Sequence, residues 1–288
     1  MTALADLSAD LSELTPGISA LRPQLHQRPE LEFEVVWTAM TLAEGPQGPG
    51  KVRYRGSMVL GLFLTVALAS ACQRTASGPQ DSLRFPVPDR PVASIVSSAY
   101  SDEATRDTHG EAERVMDRVG IASGTRVADI GAGDGYYTVR LVRRLGFSGR
   151  IYATDVEAKY LKRLEERLHR EAILGVTLVL GGPGDPRLPP GSIDVAILAH
   201  MYHEIARPYE FMYRLRAALA PQARIGIVEV DKPTRDHGTP AALLRCELGA
   251  VGYRLTALTL LAPADGYLAI FVPPDVLPSP DSIRPCRQ

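Results

Sequence analysis

The segment Asp129-Ile130-Gly131-Ala132-Gly133-Asp134-Gly135 joins a short apolar run to an amphipathic one. Glycines at such a junction allow a tight turn with positive φ and let the backbone approach a ligand closely. The helix that follows would present unpaired N–H groups at its N-terminus. The segment therefore predicts a strand, a turn and a helix that together bind a nucleotide-like cofactor.

Strand-like and helix-like segments alternate on both sides of this turn. Apolar residues at helical spacing, as in Ala112, Val115, Met116 and Val119, predict an amphipathic helix over 110–119. Buried strands that alternate with such helices indicate a parallel sheet covered on both faces. The predicted strands are 127–130, 151–154, 176–180, 193–198, 225–230, 253–261 and 266–272.

The last two predicted strands are joined only by Ala262-Pro263-Ala264-Asp265-Gly266. This connection is too short for a parallel crossover, so these strands should form an antiparallel hairpin at the sheet edge. The predicted fold is α/β, with a doubly wound, mostly parallel seven-stranded sheet and an antiparallel C-terminal hairpin.

Composition excludes several classes of protein. The chain has 288 residues, and its 32 Lys and Arg against 33 Asp and Glu argue against a nucleic-acid partner held by bulk positive charge. The only cysteines, Cys72, Cys246 and Cys286, have no C-x-x-C spacing. A disulfide scaffold and a cysteine zinc site are therefore not expected, and stability should come from a packed core.

Residues 51–72 have the pattern of a secretory signal peptide. Lys51, Arg53 and Arg55 precede an uncharged apolar run that ends in Leu68-Ala69-Ser70-Ala71-Cys72, which resembles a bacterial lipoprotein cleavage box. The alternative is an apolar helix of the folded domain. If the signal is used, the protein is exported as a periplasmic or outer-membrane lipoprotein with a lipid anchor at Cys72; otherwise it is cytoplasmic.

The remaining segments complete the predicted organisation. Residues 1–50 show no convincing element and, with a signal at 51–72, would lie outside the mature protein. Residues 73–98 are rich in Pro, Ser and Arg and predict an extended linker. Residues 99–273 form the predicted catalytic domain, and the Pro-rich tail 274–288 is expected to be loose.

Two acids narrow the choice of cofactor. Glycine spacing is G-x-G-x-G, with Tyr136 where a dinucleotide fingerprint has its third glycine. Asp129 precedes the turn and would repel a pyrophosphate but suit a cationic ligand. Asp155 ends the second strand, where a carboxylate can accept both hydroxyls of a ribose.

From Gly110 to Phe271 the sequence resembles class I S-adenosylmethionine-dependent methyltransferases. It also looks like a bacterial subgroup in which a segment like Arg90-Pro91-Val92-Ala93-Ser94-Ile95-Val96-Ser97 precedes the fold. The resemblance implies that the glycine turn lines the methionine part of the cofactor, that Asp129 lies near its amino group and that Asp155 holds the ribose. The cofactor residues it implies are Asp129, Gly131, Ala132, Gly133, Gly135, Tyr136, Asp155, Val156 and His200.

The sequence departs from the family after the third strand. Family members often have an acid there, near the adenine amino group, but this chain has Gly181-Gly182-Pro183-Gly184, and the nearest acid is Asp185.

The segment 199–205 follows the fourth strand, where ligands of open α/β sheets bind. Here the family places residues close to the transferred methyl group. His203, Tyr202 and Glu204 are the candidate catalytic residues, with His203 the preferred general base because its reference pKa is near 6.5. Tyr136 or Tyr202 could also present an aromatic face to the sulfonium. The histidines could instead be bonded to backbone, and with His237 they show no defined zinc spacing, so no metal is predicted.

These observations predict an S-adenosylmethionine-dependent methyltransferase whose acceptor, a small molecule or a protein, the sequence does not identify. One alternative is a non-catalytic S-adenosylmethionine-binding or nucleoside-binding protein, because an exported enzyme would lack the cytoplasmic supply of cofactor. An NAD-dependent oxidoreductase is a second alternative, which the glycine spacing disfavours.

Overall fold

The computed structural model describes residues 83–95, 102–261 and 266–287. The predictions made for residues 1–50 and 51–72, and for the first part of the linker, lie outside these ranges. None of the helices within them has the length and apolar content needed to cross a bilayer.

Helices and strands alternate along the described domain. Their bounds are α1 Glu103–Thr108, α2 Glu111–Val119, β1 Arg126–Ile130, α3 Tyr136–Leu145, β2 Arg150–Asp155, α4 Ala158–Arg170, β3 Val176–Leu180, β4 Ile193–Ala199, α5 Pro208–Ala218, β5 Leu219–Val230, α6 Ala241–Ala250, β6 Arg254–Leu261 and β7 Gly266–Val272. Short 3₁₀ turns at Tyr202–Glu204 and Thr234–Asp236 follow β4 and β5.

The strands form one seven-stranded sheet in the order β3-β2-β1-β4-β5-β7-β6. The five strands β1 to β5 are parallel, and β7 lies antiparallel between β5 and β6. The predicted fold class is therefore confirmed, including the antiparallel C-terminal pair. Because β1 and β4 are neighbours whose crossovers leave in opposite directions along the sheet, their carboxyl ends form the crevice where such folds bind ligands.

Two elements differ from the sequence prediction. Helix α1 was not predicted, because it buries none of its side chains and so carries no apolar period. Strand β5 begins at Leu219 rather than at residue 225, and a register shift between Ile193 and Val195 separates its early pairing with β4 from the rest.

The helices cover both faces of the sheet. Ala112, Val115, Met116 and Val119 of α2 are all buried, as the helical spacing predicts, and they belong to a core cluster with side chains of β1, β4 and β7. A larger cluster on the other side contains Tyr209, Met212 and other residues of α5. With this much apolar surface buried, the hydrophobic effect is the main source of stability.

The segments expected to be a linker and a loose tail both pack on the domain where they are described. In 83–95, Arg90 is buried and pairs with Glu247 of α6 at 2.9 Å. In the tail, a disulfide joins Cys286 to Cys246, and the Tyr209 hydroxyl accepts a hydrogen bond from the Cys286 N–H at 2.7 Å. The predictions of a loose tail and of stability from core packing alone are thus corrected, because a buried ion pair and a covalent bond fix these two segments.

Candidate functional site

The glycine turn between β1 and α3 adopts the conformation that the sequence predicts. Gly131, Gly133 and Gly135 have φ angles of 70°, 53° and 86°, in the left-handed region that glycine enters without a Cβ penalty. A Cβ atom at Gly135 would also overlap the Leu164 side chain of α4. Both the backbone conformation and the packing therefore require glycine at this position.

Asp155 holds the turn from the end of β2. Its Oδ2 accepts a hydrogen bond from the Gly133 N–H at 3.0 Å, and its Oδ1 accepts one from the Glu157 N–H at 2.9 Å. Burial raises the pKa of this carboxyl group. Each oxygen keeps a second lone pair, and the side chain lines the adjoining cavity, so it can also accept hydrogen bonds from a ligand.

A cavity of about 270 Å³ opens at the carboxyl ends of the strands, beside this turn. Its wall combines the turn, the end of β2, the glycines after β3 and the segment after β4. Of the predicted site residues, those that line it are Gly131, Ala132, Gly133, Tyr136, Asp155, Val156, His200 and Glu204. Its donor set fits an adenosyl cofactor: a close backbone approach at the glycines and a carboxylate at the end of β2, with Gly181 and Gly182 leaving room beyond β3.

Asp129 does not line the cavity, and its place near the amino group of the cofactor stays a prediction. Its side chain is buried beneath the turn, where the Thr138 hydroxyl of α3 donates a hydrogen bond to Oδ2 at 2.5 Å. Burial raises the pKa of Asp129 to about 6. The structure therefore supports a role in holding the start of α3 against β1. Gly135 likewise lies outside the wall, at the N-terminal cap of α3.

Tyr136 is engaged by two arginines. The guanidinium carbon of Arg106 lies 3.6 Å from its ring centroid, and that of Arg140 lies 3.8 Å away. The Tyr136 hydroxyl donates a hydrogen bond to Asp107 at 3.1 Å. Because cations already lie over the ring, the structure argues against the prediction that this ring receives the sulfonium; it anchors α1 beside the cavity.

His200 connects the cavity to α2. Its Nε2 lies 3.3 Å from Glu111 Oε2, and its φ of 55° is rare for a residue with a Cβ. Burial alone would raise the pKa of Glu111, but hydrogen bonding to His200 and the nearby Arg106 guanidinium hold it well below its usual range. Glu111 is therefore a carboxylate at neutral pH and can orient the His200 ring.

Tyr202 and His203 turn away from the cavity, so two of the three proposed catalytic residues do not line it. Tyr202 is fully buried, with the Arg90 guanidinium 5.6 Å from its ring centroid. His203 is also fully buried, and its Nδ1 lies 3.0 Å from Glu229 Oε2 of β5. The reason is local: the 3₁₀ turn places these two side chains towards the core and leaves Glu204 at the wall.

The turn after β3 closes the far end of the cavity. Gly181, Gly182 and Pro183 line it, whereas Asp185 does not. Asp185 Oδ1 instead accepts a hydrogen bond from the Arg187 N–H at 2.7 Å. In this structure the Asp185 carboxylate therefore stabilises the turn in which it lies.

Comparisons with known proteins agree with this architecture. Residues 127–222 match a family model described as a methyltransferase domain. The chain is 24% identical over 119 residues to a demethylmenaquinone methyltransferase of Anoxybacillus flavithermus, covering 41% of this chain and 50% of that protein. It is 28% identical over 116 residues to the ubiquinone/menaquinone biosynthesis C-methyltransferase UbiE of Pseudomonas paraeruginosa, covering 40% and 45%. These comparisons show that the chain contains a segment similar to methyltransferase domains.

Each match covers only part of the two proteins that it aligns. The chain spans about half the length of the curated methyltransferases that it matches. A solved S-adenosylmethionine-dependent methyltransferase from Aquifex aeolicus superposes with a TM-score of 0.53 at 20% identity, over 59% of this chain and 97% of that one. At this identity the likeness is one of fold.

The described domain also contains candidate site residues that the sequence analysis missed. Arg106 lines the cavity, Glu111 pairs with His200, and the Glu229 carboxylate accepts a hydrogen bond from His203 Nδ1. Glu229 lies in an apolar strand, and a charge in a predicted buried strand is the signal that could have revealed it. Glu111 lies on an ordinary amphipathic helix and Arg106 on a helix without an apolar period, so nothing in the sequence separates either residue from solvated charges.

Proposed function

We propose that this protein transfers a methyl group from S-adenosylmethionine to an acceptor that enters beside the segment following β4. The observation that carries the proposal is the single cavity whose wall contains the glycine turn, Asp155 and the polar side chains of His200 and Glu204. One chamber thus contains residues suited to the cofactor and residues suited to the acceptor.

Asp155 and the glycine turn would hold the cofactor, and Val156 would contact it after β2. When bound, S-adenosylmethionine supplies an activated methyl group, so the protein must mainly align the acceptor and exclude water. Helix α1 supports this exclusion, because Arg106 lines the cavity and the helix is tied down by the ion pair from Glu103 to Arg140 at 3.2 Å.

His200 is the general base that this arrangement favours, in place of His203. It lines the cavity, and Glu111, 3.3 Å from Nε2, would fix its ring orientation while it takes the acceptor's proton. The histidine preferred from sequence, His203, is held inside the domain by Glu229 instead.

Calorimetry and a transfer assay test the proposal together. The full chain should bind S-adenosylhomocysteine and should not bind NAD. His200→Ala should keep that affinity while methyl transfer falls by about 10² to 10⁴-fold, the usual contribution of a general base. Because matched proteins are named for demethylmenaquinone and ubiquinone/menaquinone methylation, a demethylated quinone is the first acceptor to assay.

Binding without transfer to any acceptor would favour a non-catalytic cofactor-binding protein. Binding of NAD but not of S-adenosylhomocysteine would refute the methyltransferase proposal. His169→Ala, at an exposed histidine of α4, is the matched control and should change neither readout.

We further propose that the protein is exported and anchored by lipid at Cys72. The basic and apolar pattern of residues 51–72 supports this. The disulfide between Cys246 and Cys286 gives independent support, because disulfides persist mainly in oxidising compartments.

The mature N-terminus tests the export proposal. Mass spectrometry of the protein from its native host should find the chain starting at an acylated Cys72, and Cys72→Ser should release it from the membrane fraction. Recovery of peptides from residues 1–50 in the mature protein would contradict processing.

A further inference from the structure

Three potential ligands come together beside the cavity, on the 3₁₀ turns that follow β4 and β5. His203 and Glu204 lie on the first turn, and His237 directly follows the second. One ligand atom from each residue lies within 4.8 Å of the other two. The sequence separation hides this group, since only the fold brings His237 beside His203, with ring centroids 5.5 Å apart.

The two ring nitrogens of His203 have different surroundings. Nδ1 lies 3.0 and 3.1 Å from the two carboxylate oxygens of Glu229 and is therefore its hydrogen-bond donor. The other ring nitrogen, Nε2, is buried and has no hydrogen-bond partner among the residues that the structure describes. Buried polar atoms without a partner are rare, because each loses its hydrogen bonds to water and gains none in the protein.

Because Nδ1 is bound to Glu229, Nε2 is the His203 ring nitrogen left to accept a ligand. A cation bound at Nε2 would give this buried atom a partner.

The surrounding charges also favour a cation. Glu204 and Glu229 bring two carboxylates to the site, and Glu229 forms no ion pair with a Lys or Arg within the described ranges. The Arg90 guanidinium, which donates to the His203 carbonyl at 3.4 Å, is paired with Glu247 at 2.9 Å.

We propose that His203, Glu204 and His237 bind a divalent transition-metal ion, with Zn²⁺ as the best match. Two imidazoles and one carboxylate form a ligand set that zinc uses in sites with an open fourth position. Glu229 would act on the metal through His203, fixing the tautomer in which Nε2 is the ligand. Ligands of a tetrahedral zinc ion lie about 3.4 Å apart, so a movement of about 1 Å by the half-buried Glu204 and His237 completes the site.

Glu204 also lines the cavity, so the proposed metal would lie beside the cavity wall. A metal there could bind and polarise an oxygen of the acceptor and lower the pKa of a hydroxyl. This last step rests on the proposed methyl transfer, whereas the metal site itself does not.

Metal binding is tested on the full chain, purified without a polyhistidine tag, stripped with chelator and free of cofactor. The wild type should retain one Zn²⁺ per chain after dialysis, measured by elemental analysis, and Co²⁺ should give the visible absorption of a four-coordinate site. His237→Ala should lose this binding, and Glu229→Gln should weaken it by about 10- to 100-fold.

His169→Ala removes an exposed histidine of α4 and should bind zinc as the wild type does. His237 is the variant of choice because it is half-buried, whereas His203→Ala opens a hole in the core. A wild type without stoichiometric zinc, or a folded His237→Ala that keeps it, would overturn the proposal. Binding of S-adenosylhomocysteine by the metal-free protein, measured separately, reports on the methyltransferase proposal alone.

Discussion

Asp155→Ala should lower the affinity for S-adenosylhomocysteine by about 10² to 10⁴-fold in calorimetry. The carboxylate lines the cavity and would accept both ribose hydroxyls, and hydrogen bonds to a charged group contribute about 1.5 to 3 kcal/mol each. Two such bonds correspond to about 3 to 6 kcal/mol, and every 1.4 kcal/mol is about tenfold in affinity.

The structure adds a second reason for a large effect. Asp155 also accepts the N–H groups of Gly133 and Glu157, so alanine leaves both donors without that partner and loosens the turn. Asp155→Asn keeps the shape and one acceptor oxygen but removes the charge, and it should show an intermediate loss.

Glu157→Ala is the matched control for this measurement. It removes a neighbouring acid but keeps the backbone N–H that Asp155 binds, so its affinity should match that of the wild type. A folded Asp155→Ala protein with unchanged affinity would show that the ribose, and with it the cofactor assignment, does not depend on this carboxylate.

The fold could be predicted because each of its signals is local. The apolar period of α2, the glycine turn and the short connection before β7 each specify their own geometry. Parallel strands that alternate with helices then leave few possible topologies, since crossovers are right-handed and short. The strand order in the structure is one of these topologies.

The cofactor side of the site shares this local character, but the acceptor side does not. Asp155 and the glycine turn occupy neighbouring strand ends, so their meeting follows from the topology. Which side chains of 202–204 face the cavity depends on a single 3₁₀ turn, which places Glu204 at the wall and His203 in the core. Periodicity does not specify such a turn.

Contacts between distant segments are the part that the sequence could not provide. The disulfide joins residues that are 40 positions apart in the sequence, and Arg90 pairs with Glu247, which is 157 positions away. A Pro-rich composition is compatible with either a free or a packed chain, because a few buried contacts decide between them. In this protein Arg90 makes one of these contacts, and the Ala93 N–H makes another by donating to the His203 carbonyl at 3.1 Å.

Arg90→Ala should destabilise the domain by about 3 to 5 kcal/mol, the usual result of removing one partner from a buried ion pair. The side chains of Arg90 and Glu247 are both fully buried, and Nε lies 2.9 Å from Oε1. Alanine leaves the Glu247 charge uncompensated inside the core. For a domain of this size the unfolding midpoint should fall by roughly 6 to 20 °C in a thermal scan.

A double variant separates the buried charge from the rest of the packing. Arg90→Met with Glu247→Leu removes both charges and keeps most of the volume, so it should recover most of the lost stability, as replaced buried ion pairs commonly do.

Lys159→Ala is the control. It breaks a pair with Glu157 in which the lysine is largely exposed, and it should leave the unfolding midpoint nearly unchanged. The Arg90 guanidinium also donates to the carbonyls of Tyr202, His203 and Ile205 at 3.4 to 3.5 Å, so the double variant should regain stability while the segment beside the cavity stays loosened. If Arg90→Ala unfolds at the same temperature as the wild type, the buried ion pair does not hold segment 83–95 on the domain.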